Sequence, residues 1–232
     1  IMAGDASYAD CDGPRWDSWF EMVQPLLEKR PFLMVSGNHE IEPDGTGKIS
    51  AALKNRFRMP QVKPGVDNTN YHQEASDDGH DCTPSAFTGE YDWGNSFYAV
   101  TMGLSRWLFL NSYTRTDEAS AQYQWLESEL ASIDRSVTPW VFATWHSPWY
   151  NSNGAHQHEF NTCNMRDAME PLIVKYGVDA VWNGHVHAYE RTHNVAFNKT
   201  QPPGKGFVSI VCGDGGNREG EAPYPPDTPP SW

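Results

Sequence analysis

The chain has 232 residues, 38% of them hydrophobic, with 10 Trp, 10 Tyr and 10 Phe and a formal net charge of −13. That length and aromatic content allow a sizeable core in one large domain or two small ones. The acidity argues against nucleic acid or an anionic membrane surface as partner, since both reward excess Lys and Arg. It also disfavours small anionic substrates unless a local cation overrides the global field.

In chain order, IMAGD reads as the tail of a strand already under way. Residues 15–30 place Trp16, Trp19, Phe20, Val23, Leu26 and Leu27 on one helical face, with Pro25 predicting a kink or an early stop. PFLMVSGNHE is a buried strand feeding a loop, and ISAALKNRFRMP a short helix ending before Pro60. Residues 61–95 are polar and turn-rich without a period. NSFYAVTMGLSRWLFLNS predicts a hairpin around Met102–Ser105, and the spacing of Tyr123, Leu126, Leu130 and Ile133 a helix. PWVFATWH is a further strand-to-loop, MRDAMEPLIVKYG a helix with a Gly stop, and VDAVWNGHVH and GFVSIVCGDGG two more strand ends. Strands alternating with helices indicate α/β, and the central hairpin a mixed sheet.

No apolar run approaches the roughly 18–20 residues of a membrane helix, and Ile1–Asp10 carries no basic region followed by an apolar stretch. The Ile1 start and the Pro-rich end APYPPDTPPSW lead us to expect a segment of a longer protein, incomplete at both termini. None of Cys11, Cys82, Cys163 and Cys212 forms a CxxC pair, which argues against a structural zinc cluster. Cys212, in FVSIVC, reads as a buried free thiol; Cys82 and Cys163, in polar stretches, are the candidates for a disulfide if the protein is secreted. Asn198-Lys199-Thr200 is a glycosylation sequon that weakly favours secretion.

The polar runs GDASY, GNHE, WH and GHVH share one placement, after the carboxyl end of an apolar strand, where open α/β sheets build their sites. They deliver Asp5, Tyr8, Asn38, His39, His146, His185 and His187 to one rim. These are oxygen and nitrogen donors without sulfur, a set for hard or borderline metals. Asp5 has two oxygens and can bridge two ions; a Tyr8 phenolate favours a trivalent ion, Asn38 and His146 a divalent one. His185 and His187, separated by Val186 in a loop, can serve different ions. Each residue alone has an ordinary reading: a core histidine, a turn-capping Asn38, an N-cap Asp5. Their company in this order removes that reading. His72, His80, His158 and His193 read as surface residues, Asp10 and Asp12 as solvated, Glu190 and Arg191 as an ion pair bracing GHVH, and GDGG at 213–216 as a turn.

GDASY, GNHE, the histidine of ATWHSPWYNS and NGHVHAYER together resemble the purple acid phosphatases among the calcineurin-like metallophosphoesterases, with GDGGNREG similar to a later loop of that family. The resemblance implies a sandwich of two mixed β-sheets flanked by helices, truncated at both ends, with 1–232 as a single incomplete catalytic domain. It implies that Asp5 bridges two metals, that Tyr8 and His187 bind Fe(III), and that Asn38, His146 and His185 bind a divalent ion, Zn, Mn or Fe(II). It makes His39 and His156 catalytic contacts to phosphate or leaving group, with Glu159 beside them on the substrate. The implied reaction is hydrolysis of small phosphate monoesters at acidic pH, with a metal-bound hydroxide attacking phosphorus and protonated His39 and His156 assisting. The family's first motif, GDxG, which supplies one more aspartate to the Fe(III) site, lies before the start of this chain, and Ala155 stands where relatives often carry a histidine. The implied location is extracellular or vacuolar; oligomeric state stays open. Two other readings remain: a related phosphodiesterase or nucleotidase with two divalent ions, and a catalytically silent metal- or phosphate-binding segment.

Overall fold

The computed structural model describes residues 1–42, 50–60, 82, 91 and 94–223. The first helix, α1 (Gly13–Leu27), opens with a proline, whose fixed φ suits a helix start. It ends at Leu27, two residues past Pro25, consistent with the early stop that a proline lacking the N–H for an i→i−4 bond imposes. Trp16 and Trp19 are buried and join Ala6, Ala9, Met34, Leu53 and Phe57 in a small core. Leu26, placed on the same face by the helical period, is 58% exposed: the buried stripe has run out by the last turn. A short helix, α2 (Ala51–Arg56), contributes Leu53 to this core.

The hairpin strands β1 (Tyr98–Met102) and β2 (Ser105–Phe109) pair in antiparallel fashion, as the sequence implied. Helix α3 (Ala121–Ser132) starts where the Ser120 hydroxyl accepts the Tyr123 N–H. Strand β3 (Trp140–Thr144), helix α4 (Phe160–Lys175) and strand β4 (Ala180–Asn183) follow, then β5 (Tyr189–Ala196), β6 (Lys199–Thr200) and β7 (Phe207–Cys212). Gly177, after α4, takes the left-handed conformation (φ +65°) that lets the chain turn back into β4. The β5–β6 hairpin was not expected. Its two turn residues, Phe197 and Asn198, both have positive φ, so a tight primed turn forms without the glycine that would have announced it.

The strands form one mixed sheet in the order β1-β2-β3-β4-β7-β5-β6, parallel from β2 through β7 and antiparallel at both margins. The α/β class with flanking helices is therefore as expected, with the named strands in a single seven-stranded sheet. The strand expected at PFLMVS appears as one parallel bridge, Met2 to Met34, held by Met2 N–H to Leu33 O (2.8 Å) and Val35 N–H to Met2 O (3.2 Å).

Successive residues on a strand face opposite sides. Leu108, Val141, Ala143 and Val181 turn toward Leu126 and Leu130 of α3 and Met165, Met169 and Ile173 of α4 as the main core. Each such fully buried Leu, Val, Ile or Met side chain is worth roughly 1.5–3 kcal/mol. On the other face Trp107, Phe142 and Trp182 pack ring against ring, centroids 4.9–5.3 Å apart. Among the described residues no helix is long and apolar enough to cross a membrane. Cys11 is bonded to Cys82 across 71 residues, which corrects the Cys82–Cys163 pairing. Cys163 and Cys212 are free, and Cys212 is exposed rather than buried, because β7 ends there and turns its last residue outward.

Candidate metal centre

Parallel neighbours β3 and β4 end at the same edge, so the residues that follow them emerge side by side. Gly184 N–H donates to His146 O (2.9 Å), which fixes His146 and His185 next to each other. The Met2–Met34 bridge does the same for the loops carrying Asp5 and Asn38. These loops touch so closely that a Cβ on Gly37 would lie 2.1 Å from Asp5 Oδ1, and one on Gly4 (φ +91°) 2.5 Å from His146 Nδ1. Asp5, Tyr8 and His185 all hold positive φ (55°, 48° and 66°), strain of order 1 kcal/mol or more each that the surroundings must stabilise.

Glu40, the last residue of GNHE, supplies part of that support. Fully buried, it accepts the N–H groups of Asp5 (2.7 Å), Ala6 (2.8 Å) and Gly37 (2.7 Å). Burial, then the nearby Asp5 carboxylate, push its carboxyl up to about 7 against the pull of those three donors. Glu40 thereby clamps the GDASY loop to the GNHE loop. Sequence reasoning gave it no role, although a carboxylate just after a ligand-bearing strand end is the kind of residue that can gather loose backbone N–H groups.

His146 Nε2 stands at the middle of the donor set, 3.0 Å from Asp5 Oδ2, 3.1 Å from Asn38 Oδ1 and 3.2 Å from His185 Nδ1. The protein partners decide where the ring protons sit. His146 Nδ1 lies 2.5 Å from Ala3 O, His185 Nε2 2.9 Å from Glu159 Oε2, and His187 Nδ1 3.0 Å from Gly220 O. Each of these nitrogens donates to its acceptor, so the other nitrogen of each ring turns a lone pair inward. With neutral imidazoles, Asp5 Oδ2, Asn38 Oδ1, His146 Nε2 and His185 Nδ1 then face one another as acceptors, an arrangement that repels itself unless a proton or a metal cation lies between. Donor separations near 3 Å are what pairs of roughly 2.1 Å coordination bonds give. Burial opposes charge on His146, yet the adjacent Asp5 carboxylate raises its proton affinity; burial likewise opposes ionised Asp5, but His146 holds its carboxyl low. The pocket attracts positive charge to this point.

The second group is less enclosed. Tyr8 Oη lies 3.0 Å from His187 Nε2 and 3.4 Å from Asp5 Oδ2, so one Asp5 oxygen is within reach of both groups. Asn217 Nδ2 donates to Tyr8 Oη at 2.9 Å and stands 3.2 Å from His187 Nε2. Burial and then the Asp5 and Glu219 carboxylates push the Tyr8 hydroxyl upward, so its ionisation calls for a strong local cation.

The flanking residues differ from one another. His39 is buried, with Nδ1 2.6 Å from Asp10 Oδ1, Nε2 3.6 Å from Glu219 Oε1, and its ring 4.1 Å from that of Tyr8. His156 stands more exposed at the rim, its ring 3.8 Å from the His185 ring and its Nδ1 2.7 Å from Glu159 Oε1. Both Glu159 oxygens are thus taken by histidines. Burial opposes its charge, but bonds to His156 and His185 hold its carboxyl down to about 2. Its geometry is that of a residue orienting both His156 and His185. Asp10, expected in solvent, is a hub instead, meeting His39, Arg15 (3.8 Å) and Arg218. Glu190, expected to pair with Arg191, accepts the Ser152 N–H (2.8 Å), since neighbours on a strand point to opposite faces. His158 and His193 are exposed; His72 and His80 lie outside the described residues. The GDGGNREG loop carries Asn217, Arg218 and Glu219, contacts that sequence reasoning missed because their partners lie some 200 positions away.

Residues 1–189 match the family described as calcineurin-like phosphoesterase. Over its whole length the chain is 39% identical to purple acid phosphatase 18 of Arabidopsis thaliana, covering 46% of that protein. Over 96% of its length it is 40% identical to purple acid phosphatase 22 of the same plant, covering 45%. It is 34% identical to a phosphoenolpyruvate phosphatase of Allium cepa, over 96% of this chain and 44% of that one. In fold it matches a purple acid phosphatase from yellow lupin (Lupinus luteus) seeds, with a TM-score of 0.75 at 24% identity over 98% of this chain and 38% of that chain. The chain spans less than half the length of the curated relatives named here.

Proposed function

Since the chain belongs to the calcineurin-like phosphoesterase family, we propose that it hydrolyses small phosphate monoesters at a dinuclear metal centre, as part of a longer acid phosphatase. The observation that carries this reading is the convergence of Asp5, His146 and His185 on one another, each imidazole held from its far nitrogen by Ala3 O or Glu159, with Tyr8 and His187 beside Asp5. Asp5, Asn38, His146 and His185 would hold a divalent ion, Zn, Mn or Fe(II), and Asp5, Tyr8 and His187 would hold Fe(III). When bound, the cations supply Lewis-acid charge for the phosphoryl oxygens and lower the pKa of water.

The chain's own residues do the rest. Glu40 and the close Gly4–Gly37 contact keep Asp5 from turning away. Glu159 and Ala3 O keep the two buried imidazoles in the tautomers that face inward. His156, at the rim and steadied by Glu159, is placed to hydrogen-bond a phosphoryl oxygen or to protonate a leaving alkoxide. His39, with Nδ1 2.6 Å from Asp10 Oδ1 and Nε2 3.6 Å from Glu219 Oε1, is oriented toward the same task. Those roles give an acidic activity optimum. The Cys11–Cys82 bond fits a secreted or vacuolar location, where disulfides persist.

The test is metal analysis of the iron- and zinc-supplied protein with a p-nitrophenyl phosphate assay and a visible spectrum. Two metals per chain, phosphate release and a tyrosinate-to-iron band are expected. Metal-loaded protein that releases no phosphate would refute the hydrolase reading; turnover without the band would leave the hydrolase and remove Tyr8 from the iron.

A further inference from the structure

The triplet Asn198-Lys199-Thr200 has no part in the metal centre. It is the only Asn-X-Ser/Thr sequence in the chain, and Lys199 meets the one demand on the middle position, that it not be proline. A sugar on asparagine is bulky and must stand in solvent once the chain has folded.

The fold gives Asn198 that position. Strand β5 leaves the metal-facing rim at Tyr189, opposite Cys212, and runs antiparallel to β7 until Val195 faces Phe207. Its 8 residues, at about 3.3 Å of rise each, carry the β5–β6 turn roughly 20 Å from the rim. Val195 and Ala196 are buried, whereas Phe197, Asn198, Lys199 and Thr200 are all exposed. The turn is held from its inner side. The Asn198 N–H donates to Tyr150 Oη (3.0 Å), whose own hydroxyl goes to the buried Glu170. Gln201 bonds back to Ala196 O (3.0 Å) and Asn194 O (2.7 Å). Asn198 itself has φ +58°, a conformation that asparagine tolerates better than most residues.

Two further observations favour a modified site over a chance triplet. The Cys11–Cys82 bond belongs to an oxidising compartment, and asparagine-linked sugars are added in such a compartment. Strand β6 is the margin of the sheet, and Phe197 beside it is 50% exposed. A sheet margin with an exposed aromatic invites self-association unless something covers it.

We propose that Asn198 carries an N-linked glycan, and that this glycan covers Phe197 and the β6 margin against self-association. The bond formed joins Asn198 Nδ2 to the anomeric carbon of an oligosaccharide. The bond broken joins that carbon to a lipid diphosphate, which leaves with the electron pair while the amide gives up one proton. The proposal rests on the secretory location given above, and not on the metal centre.

The experiment secretes the full-length wild type and the variants Asn198→Gln, Thr200→Ala and Thr200→Ser from yeast cells, each with a cleavable leader. Peptide-N-glycosidase in heavy-oxygen water then leaves a mass label wherever a glycan sat on asparagine. Peptide mass spectrometry should find the label at Asn198 in the wild type and in Thr200→Ser, which keeps the hydroxyl, and in neither of the others. On warming, Asn198→Gln should begin to scatter light at a lower temperature than the glycosylated wild type, and adding Phe197→Ser should recover most of the difference. An unlabelled Asn198 in secreted, disulfide-bonded wild type would overturn the site. A labelled Asn198 whose loss leaves self-association unchanged would overturn the covering role. If Cys11 and Cys82 prove reduced in the folded protein, the secretory location has failed, and the label at Asn198 alone decides the site.

Discussion

The two halves of the centre are built differently. The Asn38–His146–His185 half is buried, and its histidines are fixed by a backbone carbonyl and by Glu159. The Tyr8–His187 half is partly open, and its support comes from the loop after β7, through Asn217 and Gly220. The buried half is held by groups one step from the sheet; the open half depends on a loop with few packed apolar contacts. We expect the first to bind its ion more tightly and exchange it more slowly.

The largest effect should come from the residue the halves share. Asp5→Ala should remove both ions and lower kcat/KM by on the order of a thousandfold or more, read as metal content and phosphate release together. Retention of either metal at full occupancy would break the bridging assignment. Next, Glu159→Gln should weaken the buried half by roughly 10- to 100-fold in affinity for the divalent ion, while the tyrosinate band survives. Tyr8→Phe should give the converse: no band, with the divalent ion kept. Equal loss of both ions in either variant would show that the halves are not separable.

A smaller effect concerns pH. In the metal-free protein burial lowers the His185 pKa to about 4 from an ordinary 6.5, so the unfolded chain binds this proton more readily. Stability from this group is present above about pH 6.5 and is lost as pH falls through the window toward 4. Denaturation midpoints of wild type and His185→Asn should converge across that window; parallel curves would remove His185 from the acid sensitivity. The smallest effect on the centre should be that of Cys11→Ser with Cys82→Ser: about 2–4 kcal/mol of stability lost by denaturant melt, with the metal stoichiometry of the folded protein kept.

The donors were legible because each follows a short apolar run, and β3, β4 and β7 form where that pattern places them, while the runs before Asp5 and Asn38 meet in the single Met2–Met34 bridge. The partners were not. Glu40 reaches back to Asp5 and Ala6, Asp10 is drawn to His39 and Arg218, and Cys11 finds Cys82 rather than leaving Cys82 to Cys163. These are choices among chemically equivalent side chains, made by proximity in space. The β5–β6 hairpin escaped notice because its turn carries Phe197 and Asn198 in place of glycine.

The amino-acid order by itself determined which atoms are available as ligands and at which strand ends they sit, because alternation and helical period are local properties of the chain. Only the tertiary structure decided which nitrogen of His146, His185 and His187 keeps its proton. That depends on Ala3 O, Glu159 and Gly220 O, acceptors 26 to 143 positions away that only the sheet and its loops bring within hydrogen-bonding distance.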